Sequence, residues 1–279
     1  LVGGCLRDLL LGLPVKDYDV CTSATPEEMR VVFAGLPLLD VGERFGTLVL
    51  LLEGEQIEVT TFRREGGYQD FRHPSLLEFT RALEEDLLRR DFTINALYYN
   101  DVRGLVDLSG GLSDLDSGLI RAIGDPAKRF GEDPLRILRG LRFASVLGFR
   151  IEEGTGLAML SCRELLGYVK GERVAVELGG IFSAGVSAGL LERFEGIFRV
   201  LVPELVSFDP GFIARQGSLV LRLGALLSGV SGPSVIRSLP CLRPTVGHGE
   251  LQRPPHRCGD LGVFAGGGRV DALGARRRA

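Results

Sequence analysis

Two Asp-Pro pairs, Asp125-Pro126 and Asp133-Pro134, mark the point where the sequence changes its period. An Asp able to cap, followed by a Pro at the first helical position, starts a helix. Beyond the first pair the apolar residues recur at helical spacing, with Gly148 as the expected stop of the helix begun at the second. Leu190, Leu191, Phe194, Ile197, Phe198 and Leu201 form one stripe of a further expected helix, which Pro203 helps to end. Before Leu108 the texture is mixed. Strand-like runs (Thr47 to Leu52, Gln56 to Phe62) alternate with helical runs (Pro26 to Phe33, Leu83 to Leu97). The run from Gln56 opens with the polar/apolar alternation of a half-buried strand. Arg63 to Glu78, polar and interrupted by Gly and Pro, reads as a loop.

This pattern predicts an α+β chain: a small mixed-sheet head over residues 1–115, a helical neck over 116–180 and a partial, truncated helical body over 181–231. Residues 232–279 form an atypical tail. From Arg237 to Ala279 there are eight Arg against three acids, with many Pro and Gly and no sustained apolar period. That is the texture of a basic disordered extension or of a GC-rich gene read out of frame. The chain opens on Leu1, so residues are expected to precede it.

Composition narrows the class. No apolar run reaches membrane-spanning length, which argues against a membrane partner. Five cysteines without paired spacing argue against a zinc site or a disulfide framework and for a reducing cytoplasm. A net charge of −3 does not mark a nucleic-acid binder, since phosphate contacts need local positive charge. Apart from Lys16, Lys128 and Lys170 the basic residues are arginines, whose planar fork suits phosphates and base edges; a GC-rich genome accounts for most of that bias.

The chemistry-bearing residues begin at once. Gly3-Gly4-Cys5-Leu6-Arg7-Asp8 is followed, after a short apolar stretch, by Asp17-Tyr18-Asp19. Carboxylates at i and i+2 on a strand share a face and can share divalent cations; Mg²⁺ takes such hard oxygen ligands and leaves positions for substrate phosphates. Paired glycines before a helix expose N–H groups that can cradle a phosphate. Singly, each piece is most often a turn.

In this order the residues resemble the class II CCA-adding enzymes and bacterial poly(A) polymerases of the polymerase-β-like nucleotidyltransferase superfamily. Arg89-Arg90-Asp91-Phe92-Thr93-Ile94-Asn95-Ala96 is similar to the family's second motif, and Glu132-Asp133-Pro134-Leu135-Arg136 with Arg139 and Arg142 to its EDxxR helix. Gly171-Glu172-Arg173 and Pro203-Glu204-Leu205 resemble later helical landmarks, so the likeness runs from Leu1 to about Leu227. It implies template-independent addition of CMP and AMP from CTP and ATP to the 3′ end of tRNA, by a two-metal mechanism with Mg²⁺. Poly(A) synthesis, or addition of only C or only A, is the alternative within that chemistry. A non-catalytic RNA- or nucleotide-binding fragment is the alternative outside it. Oligomeric state is not legible.

The expected site follows. Asp17 and Asp19 hold the metals, and Glu58, on a neighbouring strand, is the candidate third carboxylate; equally, it is an outward polar residue of an alternating strand. Gly4, Arg7 and Arg90 are candidates for triphosphate or ribose contacts, with Asp91 near a sugar hydroxyl; otherwise Arg90 and Asp91 form a structural ion pair or a cap. Asp133 and Arg136, at i and i+3, share one helix face. Cytosine and adenine both present an amine beside a ring-nitrogen acceptor, so a carboxylate and a guanidinium can accept both and reject uracil and guanine. The alternative is that Asp133 merely caps its helix. Arg139 continues the ridge, reaching phosphates or holding Asp133, and Arg142 lies further around. The loop with Tyr68, Asp70, Arg72 and His73 resembles the family's flexible loop, implied to help the switch from C to A addition. No histidine belongs to a metal-ligand pattern.

Overall fold

A four-stranded sheet organises the first part of the computed structural model, which describes residues 1–68 and 74–230. Helix α1 (Gly4–Leu10) precedes strand β1 (Asp19–Thr22), and α2 (Pro26–Val32) follows it. Thr25 and Glu28 close a reciprocal capping box around the start of α2, with Pro26 in its first turn. Strands β2 (Leu38–Gly42), β3 (Thr47–Leu52) and β4 (Glu55–Thr61) complete a sheet of order β1-β4-β3-β2. The β1–β4 pair is parallel and the others antiparallel, so the sheet is mixed as expected. Leu48 and Val59 turn inward onto Met29 of α2.

The expected loop at Arg63 to Glu78 is instead a two-stranded ribbon, β5 (Arg63–Tyr68) and β6 (Pro74–Phe79). Pairing gives a polar segment partners for its backbone groups. Arg64 and Glu78 stand opposite each other and form an ion pair at 2.5 Å. Asp70, Arg72 and His73 lie outside the described residues, as does the tail 232–279.

The expected helix Leu83 to Leu97 shrinks to α3 (Leu83–Leu87). The helix ends at Leu87; further on, Phe92 is extended (φ −127°), and the Asp91 side chain accepts the Phe92 N–H at 2.7 Å. Strands β7 (Leu97–Asn100) and β8 (Gly104–Asp107) then pair as a ribbon, followed by α4 (Gly111–Asp116) and β9 (Leu119–Ile120).

Helices dominate from Asp125. Its side chain caps α5 (Pro126–Glu132) through the N–H groups of Ala127 and Lys128. Helix α6 (Leu135–Leu147) ends at Gly148, whose left-handed φ of 68° suits glycine. Strand β10 (Arg150–Ile151) pairs with β9. Helices α7 (Glu153–Ser161), α8 (Gly171–Ala184), α9 (Ala188–Arg193), α10 (Glu195–Leu201), α11 (Pro210–Arg215) and α12 (Leu219–Leu227) follow. The single helix expected across Leu190 to Leu201 is two, broken at Phe194 (φ −111°, ψ 20°), whose ring is fully buried.

One apolar core continues from Cys5, Leu6, Phe92 and Ile94 into Phe130, Ile137, Leu138, Phe182 and Phe198. Each such buried side chain stabilises by roughly 1.5–3 kcal/mol, which fixes α6 against the strand-bearing part and sets the walls between them. Among the described residues no helix is long and apolar enough to cross a membrane.

Candidate active site

A cleft of about 840 Å³ opens between α1, the start of β1, the Arg89–Asn95 segment and α6. It is lined by Asp17 and Asp19, by Gly3 and Gly4, and by Arg7, Arg89, Arg90, Arg136, Arg139, Arg142 and Arg173.

The two aspartates straddle the start of β1: Asp19 is its first residue and Asp17 precedes it. Gly3, beside Asp19 and Arg90, has a φ of 77° that favours glycine. Both glycines line the cleft, with the Gly3 N–H donated to the Leu97 carbonyl. Burial, then the negative charge of Glu58, with Asp17 adding to it, raises the Asp19 carboxyl above its ordinary value, against the pull of Arg90. Glu58 stands opposite Asp19 in the parallel register, but it is exposed and does not line the cleft.

Among the described residues no group of three or more His, Cys, Asp or Glu could by itself hold a metal ion. The donor set nevertheless fits a hard divalent cation. Two carboxylates face one cleft and repel each other, and Mg²⁺ keeps its other positions for water and substrate oxygens.

The arginines are tied down individually. Arg7 donates to Asn95 Oδ1 at 2.7 Å and to Asp8 Oδ1 at 2.8 Å. Arg90 and Asp91 do not pair with each other. Arg90 reaches Asp86 Oδ2 through Nε (3.2 Å) and Nη2 (3.0 Å), and the Tyr98 hydroxyl at 2.9 Å. Asp91 takes Arg139 at 2.8 and 2.5 Å on Oδ2, and the Phe92 and Asn95 N–H groups on Oδ1. Burial alone would raise the Asp91 carboxyl, but the Arg139 guanidinium and these hydrogen bonds hold it below the ordinary value. Arg139 therefore holds Asp91 and not Asp133. Arg142 donates to Glu177 Oε2 at 2.6 Å.

Asp133 and Arg136 do not share a helix face. Asp133 is extended (φ −140°, ψ 99°), in the break between α5 and α6 that Pro134 follows. Its Oδ1 accepts the Leu135 N–H at 3.1 Å, the capping contact, and its Oδ2 takes Arg173 at 3.0 Å. Arg136, on α6, donates to Glu132 (3.0 Å) and to the carbonyls of Arg129 (3.2 Å) and Arg89 (2.9 Å). Both residues nevertheless face the cleft.

Sequence reasoning missed the partners that hold these groups. Asp86 is fully buried and accepts from Arg89, Arg90, Tyr98 and the Arg63 N–H. The i, i+3 and i, i+4 spacing of Asp86 to Arg89 and Arg90 could have pointed to it. Arg173 stood in the Gly171-Glu172-Arg173 landmark but without a link to Asp133, and Glu177 carried no comparable local signal.

Residues 1–121 match the Poly A polymerase head domain family. The chain is 43% identical over 218 residues to a CCA-adding enzyme of Pediococcus pentosaceus, covering 78% of this chain and 53% of the relative. It resembles the crystal structure of the Bacillus stearothermophilus CCA-adding enzyme in complex with CTP, with a TM-score of 0.65 and 36% identity, over 80% of this chain and 52% of that one. It also resembles the Thermotoga maritima CCA-adding enzyme complexed with tRNA, with a TM-score of 0.62 and 25% identity, over 86% of this chain and 63% of that one. The chain spans about half the length of the curated relatives it matches.

Proposed function

We propose, from the match of residues 1–121 to the Poly A polymerase head domain and the likeness of the chain to CCA-adding enzymes, that it is a template-independent RNA nucleotidyltransferase adding CMP and AMP to the 3′ end of tRNA. The observation that carries this reading is one cleft that holds Asp17 and Asp19 on one side and Asp133 and Arg136 on the other, with arginines between. We assign the head to residues 1–115, the neck to 116–180 and a helical body to 181–231. Free thiols at Cys5, Cys21 and Cys162 suit a reducing, cytoplasmic setting.

In this reading the terminal 3′-hydroxyl attacks the α-phosphorus of the nucleoside triphosphate. A P–O bond to the RNA forms, the bond to the β-phosphate breaks, and pyrophosphate leaves. Asp17 and Asp19 would hold divalent cations, Mg²⁺ in our assignment, that lower the hydroxyl's pKa and neutralise charge on the triphosphate. Glu58 acts on that pair through its charge on Asp19. Gly4 and Arg7 face the phosphates, with Arg139 and Arg142 beside them. Arg90, held by Asp86, keeps positive charge beside Asp19. Asp91, with both oxygens engaged, orients Arg139 in preference to meeting a sugar directly.

The base is read by what Asp133 and Arg136 have left to offer. A carboxylate accepts about four hydrogen bonds, and among the described residues Asp133 takes those of Leu135 and Arg173, leaving room for an exocyclic amine. Three contacts engage Arg136, and a guanidinium has five N–H donors, so N–H groups remain for a ring nitrogen. Uracil and guanine would leave buried groups mismatched.

The test is incorporation from each of the four nucleotides on tRNA ending before, within or after CCA. CMP on the first, AMP on an end lacking only A, and nothing after CCA are expected. Repeated AMP addition would point to a poly(A) polymerase. Nucleotide binding with no incorporation on any primer would make the chain a non-catalytic fragment.

A further inference from the structure

We infer that Phe143 is a positioning residue of the cleft, whose ring gathers Arg7, Arg139 and Arg142 into one wall for a polyphosphate group. The three guanidinium carbons lie 5.1, 5.4 and 4.4 Å from the ring centroid. Phe143 is only 6% exposed, and an edge-on contact with Phe92, at 5.9 Å and 84°, fixes its plane. Arg7 comes from α1 and the other two from α6, so one ring is the shared contact of cations from two sides of the cleft. Three like charges converging in a half-buried wall repel one another, and the negative face of an aromatic ring offsets that repulsion where an aliphatic side chain cannot.

Gly180 serves the same arrangement. A Cβ there would lie 2.3 Å from Arg142 Cδ, so the Arg142 stem crosses the bare backbone of α8 on its way to the ring. The carboxylates that also hold these arginines, Asp8, Asp91 and Glu177, leave the wall close to neutral when empty. A polyphosphate would bridge cations already collected at one place, which is what makes its binding favourable.

This inference rests on the proposed placement of the triphosphate. Calorimetric titration of inorganic tripolyphosphate tests it without base, sugar or turnover. Phe143→Leu keeps an apolar side chain but removes the ring, and Gly180→Ala keeps the ring but displaces Arg142. Each should weaken binding about tenfold, while Phe143→Tyr stays within about twofold of the parent. Ile197→Val, a change in the buried core on α10 at a residue that does not line the cleft, controls for lost packing and should bind as the parent does. Tripolyphosphate binding unchanged in Phe143→Leu or in Gly180→Ala overturns the inference, as does a parent chain that does not bind it. A parent that binds tripolyphosphate but adds no nucleotide refutes the proposed reaction alone.

Discussion

Asp133 is held by Arg173, with Nη2 3.0 Å from Oδ2 across forty residues of chain, while Arg136 three residues further on turns to Glu132. The two base-reading candidates are thus oriented from opposite sides by separate ion pairs, and each can be perturbed alone.

Asp133→Ala removes both the amine acceptor and the cap on the Leu135 N–H. It should lower kcat/KM for CTP and ATP at least about tenfold, since a hydrogen bond to a charged group contributes roughly 1.5–3 kcal/mol, and it should narrow the gap to UTP and GTP. Asp133→Asn retains an oxygen for the cap, so its melting temperature should stay near the parent's while selectivity falls. Melts and kcat/KM for all four nucleotides separate the roles. Selectivity that survives in a destabilised Asp133→Ala protein would leave Asp133 as a cap only.

Arg173→Ala frees the Asp133 carboxylate without touching the cleft's phosphate side. Its expected signature is a loss of C/A preference, with tripolyphosphate affinity unchanged. An equal loss of both would mean that Arg173 supports the whole cleft.

Asp86→Asn leaves Arg90 buried without its counter-charge and Arg89 with the longer pair to Glu65, at 3.8 Å. Breaking a buried pair in this way costs about 3 kcal/mol, or a Tm drop of roughly 6–12 °C for a chain of this size. Burial would raise the Asp86 carboxyl, but Arg89 and Arg90 hold it below its ordinary value. A depressed folded-state pKa contributes stability that is complete above the unfolded value, near 3.8, and is lost as the pH falls through the folded one. The Tm difference between parent and variant should therefore be constant from neutral pH to about pH 5 and close in stronger acid. A difference that persists at the lowest accessible pH would assign the loss to packing.

Much of the architecture was legible because it is local. The Asp125 cap, the Gly148 stop and the β3 and β4 runs each depend on a few neighbouring residues. The errors came where a distant partner decides. Leu83 to Leu97 carries a helical pattern, yet the helix stops at Leu87, and beyond it Phe92 is extended while Asp91 is taken by Arg139 from 48 residues away. The Arg63–Glu78 segment has loop composition, and only the facing strand makes it a ribbon. For the cleft, the motifs located Asp17, Asp19, Arg7, Arg90, Asp133 and Arg136, because the spacing is carried in the chain. What each side chain touches was not legible, since Asp86, Phe143, Arg173 and Glu177 meet their arginines and carboxylates only after folding.

The central claim is that the carboxylates at the start of β1 carry nucleotidyl transfer, and the most direct measurement is CMP incorporation into tRNA lacking CCA by the parent, Asp17→Ala and Asp19→Ala chains with Mg²⁺. The parent should extend the RNA. Both variants should melt within a few degrees of it yet lose at least about a hundredfold in rate, as expected when charge stabilisation of several kcal/mol is removed from the transition state. Near-parental turnover by either variant would contradict the account.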